Sequence, residues 1–189
     1  MPSEPRHNGL DSDEDQVDLI LHQWERERPD LQISAMGVIG RIVRLSRYLE
    51  RELELPYREA GLDFGLFDVL ATLRRAGPPY RLSPRVLNHW CMLSSGAMTA
   101  RLDRLENAGL IARRPDPDDR RGLLIELSPA GFRLIDRLVE DHVANEEQLL
   151  AEIRGSERAE LGRLLRVLLI EFENRTGDRQ VVATGEPSP

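Results

Sequence analysis

The sequence predicts a mainly α-helical fold with a small β-wing, and three observations carry that prediction. Six segments place apolar residues at helical spacing. Two short apolar runs, residues 111–114 and Leu123–Leu127, flank a polar loop. Ser-Pro pairs at Ser83-Pro84 and Ser128-Pro129 mark two helix starts. The resulting order is two helices, a helix triad closed by a two-stranded wing, and two further helices.

Residues 1–13 are polar and predict a disordered tail. Over 15–28, Val17, Ile20, Leu21 and Trp24 line one face of a helix that Pro29 closes. A longer helix over about 31–55 carries Ala35, Ile39, Ile42, Val43, Leu49 and Leu53, with Pro56 as its stop. Residues 64–76 put Leu66, Val69, Leu70 and Leu73 on one face before Gly77-Pro78-Pro79 ends the run. Ser83 is a good N-cap and Pro84 a good first residue for a short helix to Trp90. Ser94 or Ser95 caps the next helix, which runs to Asn107 and is stopped by Ala108-Gly109. In it Met98, Leu102 and Leu105 face inward, and Ser95, Thr99 and Arg104 outward. After the hairpin, Ser128-Pro129 opens a long helix with Ile135, Leu138, Val139, His142, Leu149, Leu150 and Ile153, broken at Gly155-Ser156. Ser156 caps a last helix bearing Leu161, Leu164, Leu165, Leu168, Leu169 and Phe172. The expected division is N-terminal helices over 14–57, a winged unit over 58–128, C-terminal helices over 129–175 and a flexible tail over 176–189.

Net charge is −7, which on its face disfavours a polyanionic partner. The distribution reverses that reading. Between Arg74 and Arg121 ten Arg stand against five acids, a local +5 that leaves −12 elsewhere. Phosphate binding follows the local field rather than the total. No apolar run approaches 18 residues, no signal-peptide plan opens the chain, and the single Cys91 cannot form an internal disulfide. Together these predict a cytoplasmic protein. No Ser/His/Asp, Cys/His or paired-carboxylate constellation stands at a useful spacing, so neither an enzyme nor a cofactor is expected. His7, His22, His89 and His142 share no metal-ligand spacing with Cys91, which removes a metal site as well. Cys91 reads as an unreactive thiol more than an oxidation switch, and His142 as a histidine of a dimer core.

A short helix, a turn, a second helix and an Arg-tipped hairpin make a winged helix-turn-helix, a reader of double-stranded DNA. Its second helix enters the major groove with N-terminal residues on base edges. Here those are Ser94, Ser95, Gly96, Met98 and Thr99, of which the small hydroxyl residues allow close approach and can bond phosphates or bases. Arg85 and Arg104 are the expected phosphate contacts, and Ser83 is also expected at the DNA. Arg120 or Arg121 at the wing tip should reach the minor groove. Asp118 or Asp119 would hold one of them through a charge-assisted bond, with Asp116 a solvated turn residue. The alternative from another class is a helical adaptor that keeps this fold and binds protein instead of DNA.

Gly-Ala-Met-Thr-x-Arg-Leu-Asp-Arg-Leu-Glu, then Gly-Leu-Ile, then Arg-Arg-x-Asp-x-x-Asp-Arg-Arg, then Leu-Ser-Pro-x-Gly resembles the MarR family of bacterial regulators over about 31–173. The resemblance implies a homodimer whose N- and C-terminal helices pack together and whose two lobes bind a palindromic operator, as a repressor. The half-sites would then lie about one helical turn apart. The extra first helix with Gln23-Trp24, together with Phe67-Asp68, Arg101 and Arg113, is similar to the ligand-responsive subfamily of the urate regulators HucR and PecS. That subfamily also includes TamR, which responds to citrate and aconitate, and residues 62–87 look closest to its branch. The similarity implies a site for a small anionic ligand (citrate, aconitate or urate) formed by Trp24, Asp68, Arg101 and Arg113. The two Arg would grip the anion, Trp24 would wall it, and Asp68 would be repelled or exchange its Arg partner.

Overall fold

The computed structural model describes residues 13–91, 95–119 and 122–176. Ser94, Arg120, Arg121 and nearly all of both expected tails lie outside these residues, as does the side chain of Ser95. The chain divides into two compact units, residues 1–52 and 53–189.

The first unit is a helix pair, α1 (Gln16–Glu27) and α2 (Ser34–Leu53). Asp15 caps α1 by accepting from the Val17 and Asp18 backbone N–H groups, and the Asp18 carboxylate accepts from Asp15 in return. This closed capping box satisfies donors that a helix start otherwise leaves open. Arg41 of α2 then donates to both carboxylates, Nε to Asp15 at 2.7 Å and Nη2 to Asp18 at 2.6 Å. The helices approach closely where α2 has no side chains. A Cβ at Gly37 would stand 3.2 Å from Leu21, and one at Gly40 3.2 Å from Val17. α2 starts and stops slightly inside its expected range. Pro56 does more than stop it, opening a 3-10 turn over Leu55–Ala60 in a first-turn position where its missing N–H costs nothing.

The second unit continues with α3 (Phe64–Arg75), β1 (Arg81–Leu82), α4 (Pro84–Trp90) and α5 (Ser95–Asn107). It ends with β2 (Ile111–Pro115), β3 (Leu123–Leu127), α6 (Pro129–Leu149) and α7 (Gly155–Thr176). The sheet is antiparallel in the order β1-β3-β2, with Arg81 opposite Glu126 and Ile111 opposite Leu127. The wing is therefore three-stranded, not two-stranded as expected. A two-residue strand is too short to show the alternation by which strands are read.

One core runs through this unit. α3 supplies Leu66, Val69, Leu70 and Leu73, α4 Leu87, α5 Met98, Leu102 and Leu105, the strands Ile111, Ile125 and Leu127, and α6 Ile135 and Leu138. Burial of each such side chain contributes about 1.5–3 kcal/mol. α6 thus shares the core of the winged unit across the boundary expected at 128–129. The Leu-Ser-Pro-x-Gly segment makes that junction. Ser128 Oγ donates to Gly109 O at 2.7 Å and accepts from the Gly131 N–H at 3.0 Å, and any Cβ at Gly131 would collide with the Leu110 backbone. α5 ends as predicted, with Gly109 at φ +70° and Leu110 N–H bonded to Leu105 O at 2.9 Å. α6 stops at Leu149, short of Ile153, and α7 begins one residue before the expected Ser156 cap, where Glu157 accepts from the Arg154 N–H at 3.1 Å. Among the described residues no helix is long and apolar enough to cross a membrane.

Candidate nucleic-acid interface

Ser83 Oγ accepts from the Val86 N–H at 3.4 Å and so anchors the first turn of α4. Arg85, in that turn, is exposed, and no carboxylate pairs with it among the described residues. The first turn of α5 contains no acidic residue, so no negative charge within that turn opposes an incoming anion. Gly96 and Thr99 lie exposed on its outer side. Met98 does not join them. It is 1% exposed and belongs to the stripe Met98, Leu102, Leu105 that fills the core. Its expected place among the DNA contacts is therefore corrected: a side chain spaced i, i+4, i+7 with two core leucines turns away from the groove.

The wing turn is built by its own aspartates. Asp116 N–H donates to Gly122 O at 3.0 Å, Gly122 N–H to Asp119 O at 2.8 Å, and Asp118 N–H to the Asp116 carboxylate at 2.9 Å. Asp116, expected to be merely solvated, thus shapes the turn as an Asx residue. Asp118 and Asp119 are exposed, and the Arg partners expected for them lie outside the described residues.

The arginines of α5 point elsewhere. Arg104 Nη1 donates to Asp63 Oδ2 at 2.7 Å, while Asp63 Oδ1 accepts from Leu66 N–H at 2.9 Å as the N-cap of α3. One turn earlier on α5, the Arg101 guanidinium lies so close over Gly65 that any Cβ there would run into it. Arg101 is half-buried, and among the described residues no hydrogen bond or ion pair holds it. Gly65 and Asp68 stand one turn apart on α3, so Arg101 reaches the same side of that helix as Asp68.

The four residues expected to share a ligand site are differently engaged. Asp68 pairs with Arg75 at 3.8 Å. Arg113 donates from Nη2 to Asp103 at 2.6 Å and from Nη1 to Glu106, tying β2 to α5. The Asp103 bond is the main reason its guanidinium is held even more firmly protonated than usual. Trp24 stands half-exposed on α1, in the other unit. Sequence reasoning overlooked Asp63, Gly65 and Arg75. The first carries an N-cap signal three residues ahead of Leu66, whereas the other two carry none.

Two further side chains with possible chemistry are largely covered. Burial pushes the Cys91 thiol up to about 11, and Thr72 Oγ1 lies 3.5 Å from its sulfur. His142, expected in a dimer core, packs inside its own chain, its ring 4.6 Å from Phe67, which stacks on Tyr57 at 4.5 Å.

A family model described as MarR family matches residues 60–122. The HTH-type transcriptional regulator PecS of Dickeya dadantii is 43% identical over 150 residues, 79% of this chain and 90% of that protein. A mutant MarR from E. coli complexed with operator DNA superposes with a TM-score of 0.63 at 26% identity, over 74% of this chain and 99% of that one. Sco3205, a MarR family regulator from Streptomyces coelicolor in complex with DNA, shares the fold with a TM-score of 0.67 at 23% identity, over 74% and 88%. With nine-tenths of PecS spanned at that identity, the chain belongs to the MarR family: it is a DNA-binding transcriptional regulator and not an enzyme.

Proposed function

We propose that two copies of this chain bind a palindromic operator, repress transcription from it, and release it when a small organic anion (citrate, an aconitate or urate) binds. The observation that carries the ligand half of this reading is Arg101. Among the described residues no carboxylate pairs with this half-buried guanidinium of α5, which leaves it open to an anion, and the Gly65 beneath it stands one turn from Asp68. An anion drawn to Arg101 would repel Asp68 and shift α5. Because α5 is the groove-entering helix, a small rotation in each protomer alters half-site spacing.

The dimer half rests on apolar surface. α7 has no buried residue, and Leu161, Leu164, Leu165, Leu168 and Phe172 are all exposed. On α2, Val38, Ile39, Val43 and Leu45 are exposed as well. Exposed apolar faces of that kind mark interfaces, and a second copy supplies the same faces. At the DNA, Ser83, Arg85, Ser94, Ser95, Gly96 and Thr99 would make the contacts of the helix pair, with Arg120 and Arg121 at the wing.

A gel-shift on the gene's own upstream region, with citrate, aconitates and urate titrated in, tests the whole reading. One of these anions should dissociate a salt-sensitive complex and raise the melting temperature, and Arg101→Ala should lose both effects. Retention of both in Arg101→Ala would remove the proposed site.

A further inference from the structure

We propose that the first turn of α3 is a seat that sets the angle of α5, with Asp63 and Gly65 as its working parts and Arg104 as a positioning residue rather than a phosphate contact. Arg101 and Arg104 are three residues apart, hence on one side of α5, and both come down on that single turn. Asp63 divides its carboxylate between two tasks. Oδ1 accepts from Leu66 N–H at 2.9 Å and Oδ2 accepts from Arg104 Nη1 at 2.7 Å.

That division matters energetically. An exposed ion pair contributes little because two long side chains must be ordered at once. Here the cap has already ordered Asp63, so only Arg104 gives up freedom. The pairing also offsets the charge of Arg104 and occupies one of its donors, which makes it a weaker partner for a DNA phosphate. Gly65 serves the second arginine, since the guanidinium of Arg101 fills the space that a side chain at 65 would occupy.

Apolar burial of Met98, Leu102 and Leu105 holds α5 against the core but is non-directional. The two arginine contacts add what burial lacks, resistance to rotation of α5 about that core. In a reader that spans two half-sites, such rotation changes the preferred spacing. The inference rests on α5 being the helix that enters the groove.

The test uses the full chain and its operator, with Asp63→Asn, Arg104→Gln, the double variant and Gly65→Ala. Affinity is measured by fluorescence anisotropy across salt concentrations and on operators with the half-site spacer one base pair longer or shorter. Asn caps helices as well as Asp, so Asp63→Asn removes the Arg104 bond without uncapping α3, and thermal melts check this. Each single variant should weaken binding about tenfold, the scale of one charge-assisted hydrogen bond, and the double no more than either. The salt slope should stay unchanged while discrimination between spacers falls. Gly65→Ala, which displaces only the flexible end of Arg101, should blunt spacer discrimination too. A salt slope flatter by about one unit in Arg104→Gln, with Asp63→Asn binding as tightly as wild type or tighter, would make Arg104 a phosphate contact and overturn the proposal. Unaltered spacer discrimination in all four variants would overturn it as well. If wild type itself forms no competitor-resistant complex, the DNA reading of α5 fails and the seat with it.

Discussion

The core of the winged unit and the apolar row of α7 are made of the same kind of residue, and only one of them is closed. Leu66, Leu70 and Leu73 are at most 2% exposed, whereas Leu164, Leu165 and Leu168 are 40–48% exposed. The core draws on three helices, a sheet and α6, so every leucine has neighbours within its own chain. α7 offers its leucines to solvent. The difference separates two tasks that share one chemistry: the winged unit folds on its own apolar surface, and α7 keeps apolar surface that the proposed dimer would close.

Breaking the assembly side should have the largest effect. Leu165→Glu with Leu168→Glu should convert the protein to monomers in sedimentation experiments and lower operator affinity by about a hundredfold or more, since each protomer loses two anchors worth about 1.5–3 kcal/mol apiece. A dimer that survives both changes would move the interface off α7. On the closed side, Leu70→Ala should cost about 2–5 kcal/mol in denaturant unfolding through loss of buried surface and the cavity left behind. The melting temperature of that variant should fall without any change in oligomeric state, which would confirm that the two tasks are separable.

Smaller changes sharpen the contrast further. Ser128→Ala removes a cap and its bond to Gly109, and should cost about 1 kcal/mol by chemical denaturation. The smallest effect concerns the helix pair of the first unit. Arg41, through its hydrogen bond, holds the Asp18 carboxyl below its ordinary value of 3.8. Because the folded value is depressed, the contribution is fully present above about pH 4 and is lost as pH falls through the folded value. Acid titration followed by Trp24 fluorescence, in a Trp90→Phe background, should show α1 loosening in that window. Arg41→Gln should abolish this pH step, and a step that persists would assign it to other carboxylates.

Much of the fold was legible. Periodicity and caps together located the seven α-helices of the described residues to within a few residues, and the Ser83 and Ser128 caps fell where Ser-Pro predicted them. The wing hairpin was readable from its turn residues. β1 was not, because two residues have no period, and neither was the 3-10 turn, because Pro56 reads equally as a stop or a start. Met98 shows how a site inference errs: a motif position placed it among the DNA contacts while its own periodicity placed it in the core. Periodicity reports the direction of a side chain, which a motif alone does not.

What the sequence by itself determined is what local physics writes along a chain: the helix faces, the caps, the Gly109 stop and the positive charge gathered around the helix pair. What only the tertiary structure decided is the partner of each arginine. Arg104 and Asp63 are 41 residues apart, and Arg113 lies ten from Asp103. Along the sequence any Arg and any Asp are equivalent, since charge carries no address. Packing α5 across α3 and β2 chose the pairs, leaving Arg104 on a cap, Arg113 between two acids of α5 and Arg101 over a glycine, with no carboxylate of its own among the described residues.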